Sequence, residues 1–221
     1  MSNTKSASEL AYLTVKEMIV TGELPGGELV SEGDIAGRMD VSRTPVREAF
    51  LRLQVEGWMR LYPKRGALVV PVAPGEAENI VSARWLIESG SVRALVGDAR
   101  VRAELVGELR TNLVRQHRLL ARDTGQETTA AEFSAADADF HRLIVHAGGN
   151  PLLDAFYSGL RERQRRMTTH SLARDPGQIE QIVEDHTRLA DFIEAGDADG
   201  FETAVDAHMR RVHGLNESGT R

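Results

Sequence analysis

The 221-residue sequence predicts a mainly α protein: an N-terminal winged helix-turn-helix, then an antiparallel all-helical bundle of six to seven helices. Three observations predict it. Residues 8–56 carry three helical segments, with a tight turn between the second and third. Two β-prone runs, WMRLY and ALVVPV, follow around a turn that contains Pro63 and Gly66. Beyond residue 75 every segment reads as helix, broken only at Gly, Pro, Asn and Asp clusters.

The first helix is expected at 8–21, with Leu10, Leu13, Met18 and Val20 among polar positions and Gly22 as its stop. LPGGELV reads as a turn and a short apolar step. The second helix spans 31–39 and starts at Ser31, whose hydroxyl suits the N-cap. MDVS is a tight turn. Ser42 then caps a third helix over 43–56, where Pro45 is tolerated in the first turn. Its apolar residues Val46, Ala49, Phe50 and Leu53 form one stripe, and Gly57 ends it. The two β-prone runs form a hairpin with a basic tip, PKRG. This order of helices, turn and hairpin describes a reading helix for the DNA major groove with a wing beside it.

Domain boundaries are expected at 1–71 for the DNA-binding domain and 72–75 for a short linker. Residues 76–221 are expected to form an all-helical domain. Pro74, Glu76 and Glu78 make a good helix start. Helices are expected at 75–97, 99–122, 130–147, 151–172, 176–195 and 198–214. The breaks are Gly97-Asp98, Asp123-Thr124-Gly125, Gly148-Gly149-Asn150, Asp175-Pro176-Gly177 and Gly196-Asp197. The final NESGTR is expected to fray.

Composition excludes several classes. The chain has no cysteine, which removes disulfides, thiolate zinc fingers and cysteine nucleophiles. No apolar run reaches the roughly 20 residues needed to span a bilayer, and MSNTKSASEL lacks the apolar core of an export signal. A cytoplasmic protein with no membrane partner is expected. The net charge is −6, yet residues 38–65 hold seven basic residues against three acidic ones. A local +4 on an acidic chain points to a polyanion partner.

VSRTPVREAFLRLQVEGW is the most specific segment. Arg43, Thr44 and Arg47 lie in the first turns of the third helix, and Arg43 and Arg47 share a face at i,i+4. Arginine forks onto guanine edges or clamps phosphate, and Thr44 bonds phosphate or touches a thymine methyl. Lys64 and Arg65 at the hairpin tip suit backbone or minor-groove contact. Pairing of Arg43 and Arg47 with Glu48 or other acids is the alternative.

Residues 10–71 resemble the N-terminal domain of GntR-type bacterial transcription regulators. The resemblance rests on LPGGELV, SEGDIA, VSRTPVREAFLRL, and EGW followed by KRGALVV. It implies DNA contacts at Arg43, Thr44, Arg47 and the wing from Lys64 to Gly66. Relatives often carry a basic residue after the glutamate of the second helix; this chain has Gly33.

In the helical region Asp137 and His141 are i,i+4, so one face of one helix presents both. His186 and His208 fall in two other helices. One carboxylate and three imidazoles suit Zn²⁺, Ni²⁺, Mn²⁺ or Fe²⁺ better than Ca²⁺, with zinc first among them. Spacing alone does not bring the three segments together, and a helical histidine is more often a polar surface residue. Residues 76–214 are similar to the all-helical effector domain of the FadR subgroup in its metal-binding form. That resemblance rests on Asp137, Phe140-His141, Gly149-Asn150, His186 and His208. It implies a divalent ion on Asp137, His141, His186 and His208. It further implies that Arg84 faces the metal cavity and grips a small carboxylate, with Asn150 lining the same cavity. The alternatives are an Arg84–Glu88 pair on a wet face and Asn150 as a plain N-cap. The cluster Arg161, Arg163, Arg165 and Arg166 reads as mostly solvated, and Trp85 as a packing or dimer-face residue. No role is assigned to His117, His146, His170 or His213.

The sum is a homodimeric regulator that binds a palindromic operator in double-stranded DNA, represses, and responds to a small organic acid. A non-carboxylate signal acting on a metal-stabilised regulator is the alternative. A hydrolase using the same donor set is a poorer one, because no HExxH pairing is present and the DNA-binding head goes unexplained.

Overall fold

The computed structural model of the chain describes residues 5–73, 75–121 and 130–215. The helix start at Pro74, the break at 123–125 and the fraying of 216–221 lie outside them. The chain forms two compact units, Met1–Ala73 and Pro74–Arg221.

The first unit holds α1 (Ala7–Thr21), β1 (Leu29–Val30), α2 (Glu32–Met39), α3 (Arg43–Val55), β2 (Met59–Tyr62) and β3 (Gly66–Val69). Ser6 Oγ caps α1 by accepting from Glu9 N–H, and Gly22 ends it in the left-handed region at φ 82°. Ser31 Oγ caps α2 by accepting from Asp34 N–H. Ser42 sits at the N-cap of α3 with extended backbone, yet its hydroxyl makes no capping bond, so that part of the expectation is corrected. The four stripe residues of α3 are all buried. They pack with Ala11, Val15 and Ile19 of α1 and with Ile35 of α2. Each fully buried Phe, Leu or Ile contributes roughly 1.5–3 kcal/mol.

The wing is larger than a hairpin. The apolar step at Leu29-Val30 joins it as β1, so the sheet order is β1-β3-β2, antiparallel throughout. Register places Tyr62 opposite Gly66 and Leu29 opposite Leu68. At the tip Lys64 adopts φ 61° and Gly66 φ 103°. Gly66 also lies against the backbone of Val30, so a side chain there would strike β1.

The second unit holds α4 (Glu76–Leu95), α5 (Ala99–Leu120), α6 (Ala130–Ala147), α7 (Pro151–Arg174), α8 (Gln178–Ala195) and α9 (Ala198–Val212). Helix α7 runs two residues beyond its expected end. Among the described residues, side-chain caps start three of these helices: Asp98 on α5, Asn150 on α7 and Asp197 on α9. Helix α4 packs on α6, α7 and α9; α5 packs on α6 and α8; α8 packs on α9. Their shared core includes Leu109, Phe133, Phe140, Ile193, Phe201 and Met209. Trp85 is partly buried and packs against this core. A patch of buried polar residues interrupts the core where α6, α8 and α9 meet.

Candidate functional site

The first unit presents a basic groove of about 700 Å³ lined by Arg43, Arg47, Lys64, Arg65 and Gly66, among others. Helix α3 and the wing therefore bring five of the six expected DNA-contacting residues to one concavity. Thr44 is exposed at the start of α3 but does not line it. Among the described residues Arg43, Arg47, Lys64 and Arg65 make no ion pair. All four are exposed, so their charge is open to an incoming polyanion. The guanidinium of Arg43 lies against Gly33, 3.2 Å from where a Cβ would stand. The missing side chain at Gly33 thus gives Arg43 room.

The second unit brings Asp137, His141, His186 and His208 together. One ligand atom from each lies within 4.8 Å of all the others, and all four residues are buried. Asp137 and His141 come from α6, His186 from α8 and His208 from α9. Asp137 Oδ1 stands 3.5 Å from His186 Nε2 and 3.9 Å from His141 Nε2.

Every ligand is held from behind. His141 Nδ1 donates to Glu88 Oε2 at 2.7 Å, His186 Nδ1 to Gln116 Oε1 at 2.8 Å, and His208 Nδ1 to Asp185 Oδ2 at 3.0 Å. A carboxylate can only accept, and Gln116 spends its amide N–H on Asn112. Each Nδ1 therefore carries the proton, and each Nε2 keeps its lone pair for the centre. Asp137 Oδ2 accepts from Gln164 Nε2 at 2.9 Å and from Thr168 Oγ1 at 3.3 Å, which aims Oδ1 inward. Phe140 stacks on His186 at 4.2 Å and fixes its plane. All six described helices of the unit supply a member of this cluster or a residue that supports one.

The donor set fits a divalent ion. His141 Nε2 and His186 Nε2 are buried without a partner among the described residues, a cost that metal ligation would remove. Burial pushes all three imidazoles toward the neutral form that ligates. His208 falls to about 4, since burial outweighs the opposing charge of Asp137. His186 falls well below the usual range, first through burial and then through His208. His141 falls through burial despite Glu88.

Arg84 and Glu88 do pair at i,i+4, but in the interior rather than on a wet face: their side chains are 2 % and 0 % exposed. Arg84 Nε donates to Glu88 Oε1 at 3.1 Å and to Tyr157 Oη at 3.2 Å, while its Nη2 has no partner among the described residues. Asn150 is not brought to the cluster. It is exposed, and its Oδ1 accepts from the N–H groups of Leu152 and Leu153, so the capping alternative describes its place. The arginine cluster on α7 is not mostly solvated either. Arg161 pairs with Asp139 and Glu162, Arg163 with Glu76, and the buried Arg165 with Glu162.

Sequence reasoning missed the supports Tyr157, Gln116, Gln164, Thr168 and Asp185. Gln116 had a signal: it continues the buried stripe Leu105, Leu109, Leu113 of α5, where an apolar residue belongs. His213 was also passed over. It is partly exposed, and its Nδ1 lies 3.5 Å from Ser171 Oγ.

Comparison with known proteins places both units. The bacterial regulatory protein profile of the gntR family matches residues 7–69, and the FCD domain profile matches residues 79–211. The chain belongs to the GntR family of transcriptional regulators, with an FCD domain. It is 33 % identical over 204 residues to an uncharacterized HTH-type transcriptional regulator in an unstable DNA locus of Streptomyces ambofaciens, covering 91 % of this chain and 81 % of that one. It is 24 % identical over 213 residues to the galactonate operon transcriptional repressor of Escherichia coli K12, covering 91 % and 93 %. Among solved structures, E. coli McbR/YncC shares the fold at a TM-score of 0.71 and 21 % identity, covering 94 % and 95 %. As a GntR-family member the chain is a transcriptional regulator and not an enzyme. Among its described residues no helix is long and apolar enough to cross a membrane.

Proposed function

We propose that this GntR-family regulator senses a small organic acid through a divalent ion held by Asp137, His141, His186 and His208. The carrying observation is the convergence of four buried ligand atoms, each with its opposite edge anchored, together with a buried Arg84 whose Nη2 has no partner among the described residues. Three nitrogens and one oxygen suit zinc first, with Ni²⁺, Mn²⁺ and Fe²⁺ as the other choices. Bound there, the ion supplies a Lewis-acid handle for an effector oxygen. Arg84 supplies the second grip, a charge-assisted hydrogen bond to a carboxylate. Residues 76–221 form the effector and dimerisation domain, and 72–75 link it to the reading head at 1–71.

In that head Arg43 and Arg47 reach the major groove from α3. Thr44 bonds phosphate, and Lys64, Arg65 and Gly66 bring the wing to the DNA backbone. Two such heads in a homodimer bind a palindromic operator, in the cytoplasm, and repress until the acid binds. The names of relatives as repressors support that sign. The effector acts only through its differential affinity for the DNA-competent and released states.

The test is a thermal-shift screen of the full chain against mono-, di- and tricarboxylates and sugar acids, before and after chelation. Stabilisation by an acid that vanishes on chelation supports the reading. A large drop on chelation with no response to any acid replaces it with a purely structural ion tying six helices together. His208→Ala should lose metal and acid response yet keep non-specific DNA binding. Metal content equal to wild type would remove His208 from the ligand set.

A further inference from the structure

Glu88 serves two parts of the site at once. Its Oε2 accepts from His141 Nδ1, while its Oε1 accepts from Arg84 Nε and, at 2.5 Å, from Tyr157 Oη. One wholly buried carboxylate therefore braces a metal-ligand imidazole and the effector-gripping arginine. It also sets the charge of the interior. Among the described residues, the ionised side chains beside the imidazoles are Asp137, Glu88 and Arg84, which sum to −1. Asp185, behind His208, is offset by its ion pair with Arg211. A divalent ion brings the total to +1; without the Glu88 charge it would be +2. In an interior screened from water, an effector that leaves a net charge behind is penalised.

We propose that Glu88 is the specificity-determining residue of this centre, and that the +1 interior selects singly charged monocarboxylates over di- and tricarboxylates. The inference rests on the metal-assisted sensor proposed above. It adds that Arg84 does not act as a free cation. Its Nε is already taken by Glu88 and Tyr157, so the guanidinium offers Nη2 to a single carboxylate.

The experiment is calorimetric titration of the zinc-loaded full chain with matched acids: glycolate against malonate, and gluconate against glucarate. Each monoacid should bind at least about tenfold more tightly than its diacid. Glu88→Gln raises the interior charge by one and should move the ratio about tenfold toward the diacid. Arg84→Gln lowers it by one and should move the ratio the other way. Glu88→Asp keeps the charge and should keep the ratio even if both acids weaken. A merely structural role would weaken both acids alike in every variant. Diacids that bind wild type as tightly as monoacids overturn the inference and leave the sensor reading standing. A ratio unmoved by Glu88→Gln removes the role from Glu88. Zinc-loaded protein that binds no acid of either charge overturns the sensor reading and the inference with it.

Discussion

Lowering the pH from 7 to 5 should destabilise the metal-free second unit, and the burial of its imidazoles sets the size. His208 is held down to about 4, against an ordinary value near 6.5 in an unfolded chain. Between those values the unfolded chain binds a proton that the folded chain refuses. Stability therefore rises with pH across this window: it is fully present above about 6.5 and is lost as pH falls toward 4. For His208 alone the loss from pH 7 to pH 5 is about 2 kcal/mol. His186 and His141 shift in the same direction and deepen it. In a unit of about 150 residues, 2 kcal/mol moves Tm by roughly 4–8 °C. The assay is differential scanning calorimetry of the chelated chain at pH 7, 6 and 5. All seven histidines lie between 117 and 213, so the transition of the first unit should not follow. In the proposed site an ion would take the deprotonated Nε2 atoms, so loading at pH 7 should add about 2.7 kcal/mol at a hundredfold excess over Kd. That gain should fade as protons compete. A second-unit transition with equal Tm at pH 7 and pH 5 would refute the reasoning. So would His208→Leu with the full pH dependence retained.

Three further outcomes are expected. Arg47→Ala should weaken operator binding and lower the salt slope by about 1, with metal content unchanged; electrophoretic shifts across a salt series check both. Gly66→Ala should destabilise the first unit by about 1–3 kcal/mol or more, because φ 103° is strained for alanine and the new Cβ meets Val30; urea unfolding reads the loss. Asn150→Ala should cost about 1 kcal/mol through loss of the α7 cap while leaving acid affinity unchanged, and a changed affinity would return Asn150 to the effector site.

Much of the fold was legible because its signals are local. The stripe Val46, Ala49, Phe50, Leu53, the Ser31 and Asn150 caps and the Gly22 and Gly196 stops each act within a turn or two of helix. The strand at Leu29-Val30 was not legible. Two residues carry no period, and only pairing with β3 makes them a strand. The Ser42 cap failed for a related reason: residue type predicts a cap, but rotamer and neighbours decide whether the bond forms. The residue-level site was read unevenly. Side-chain types and the i,i+4 spacing marked Asp137 and His141, and the family resemblance supplied the rest of the ligand set. Tyr157, Gln164 and Thr168 carried no mark, because a polar residue on a helix looks the same facing water or a buried carboxylate.

The sequence by itself determined the element types, the basic reading helix on an acidic chain and the presence on its helices of histidines and an aspartate with metal-binding chemistry. These follow from backbone propensity, helical period and side-chain chemistry, which act within a few residues. The tertiary structure alone decided that α6, α8 and α9 bring those groups within 4.8 Å, that Arg84 and Glu88 meet inside the bundle, and that each imidazole is oriented by a different helix. Such convergence depends on how six helices pack, and packing is a property of their joint surfaces that no single segment carries.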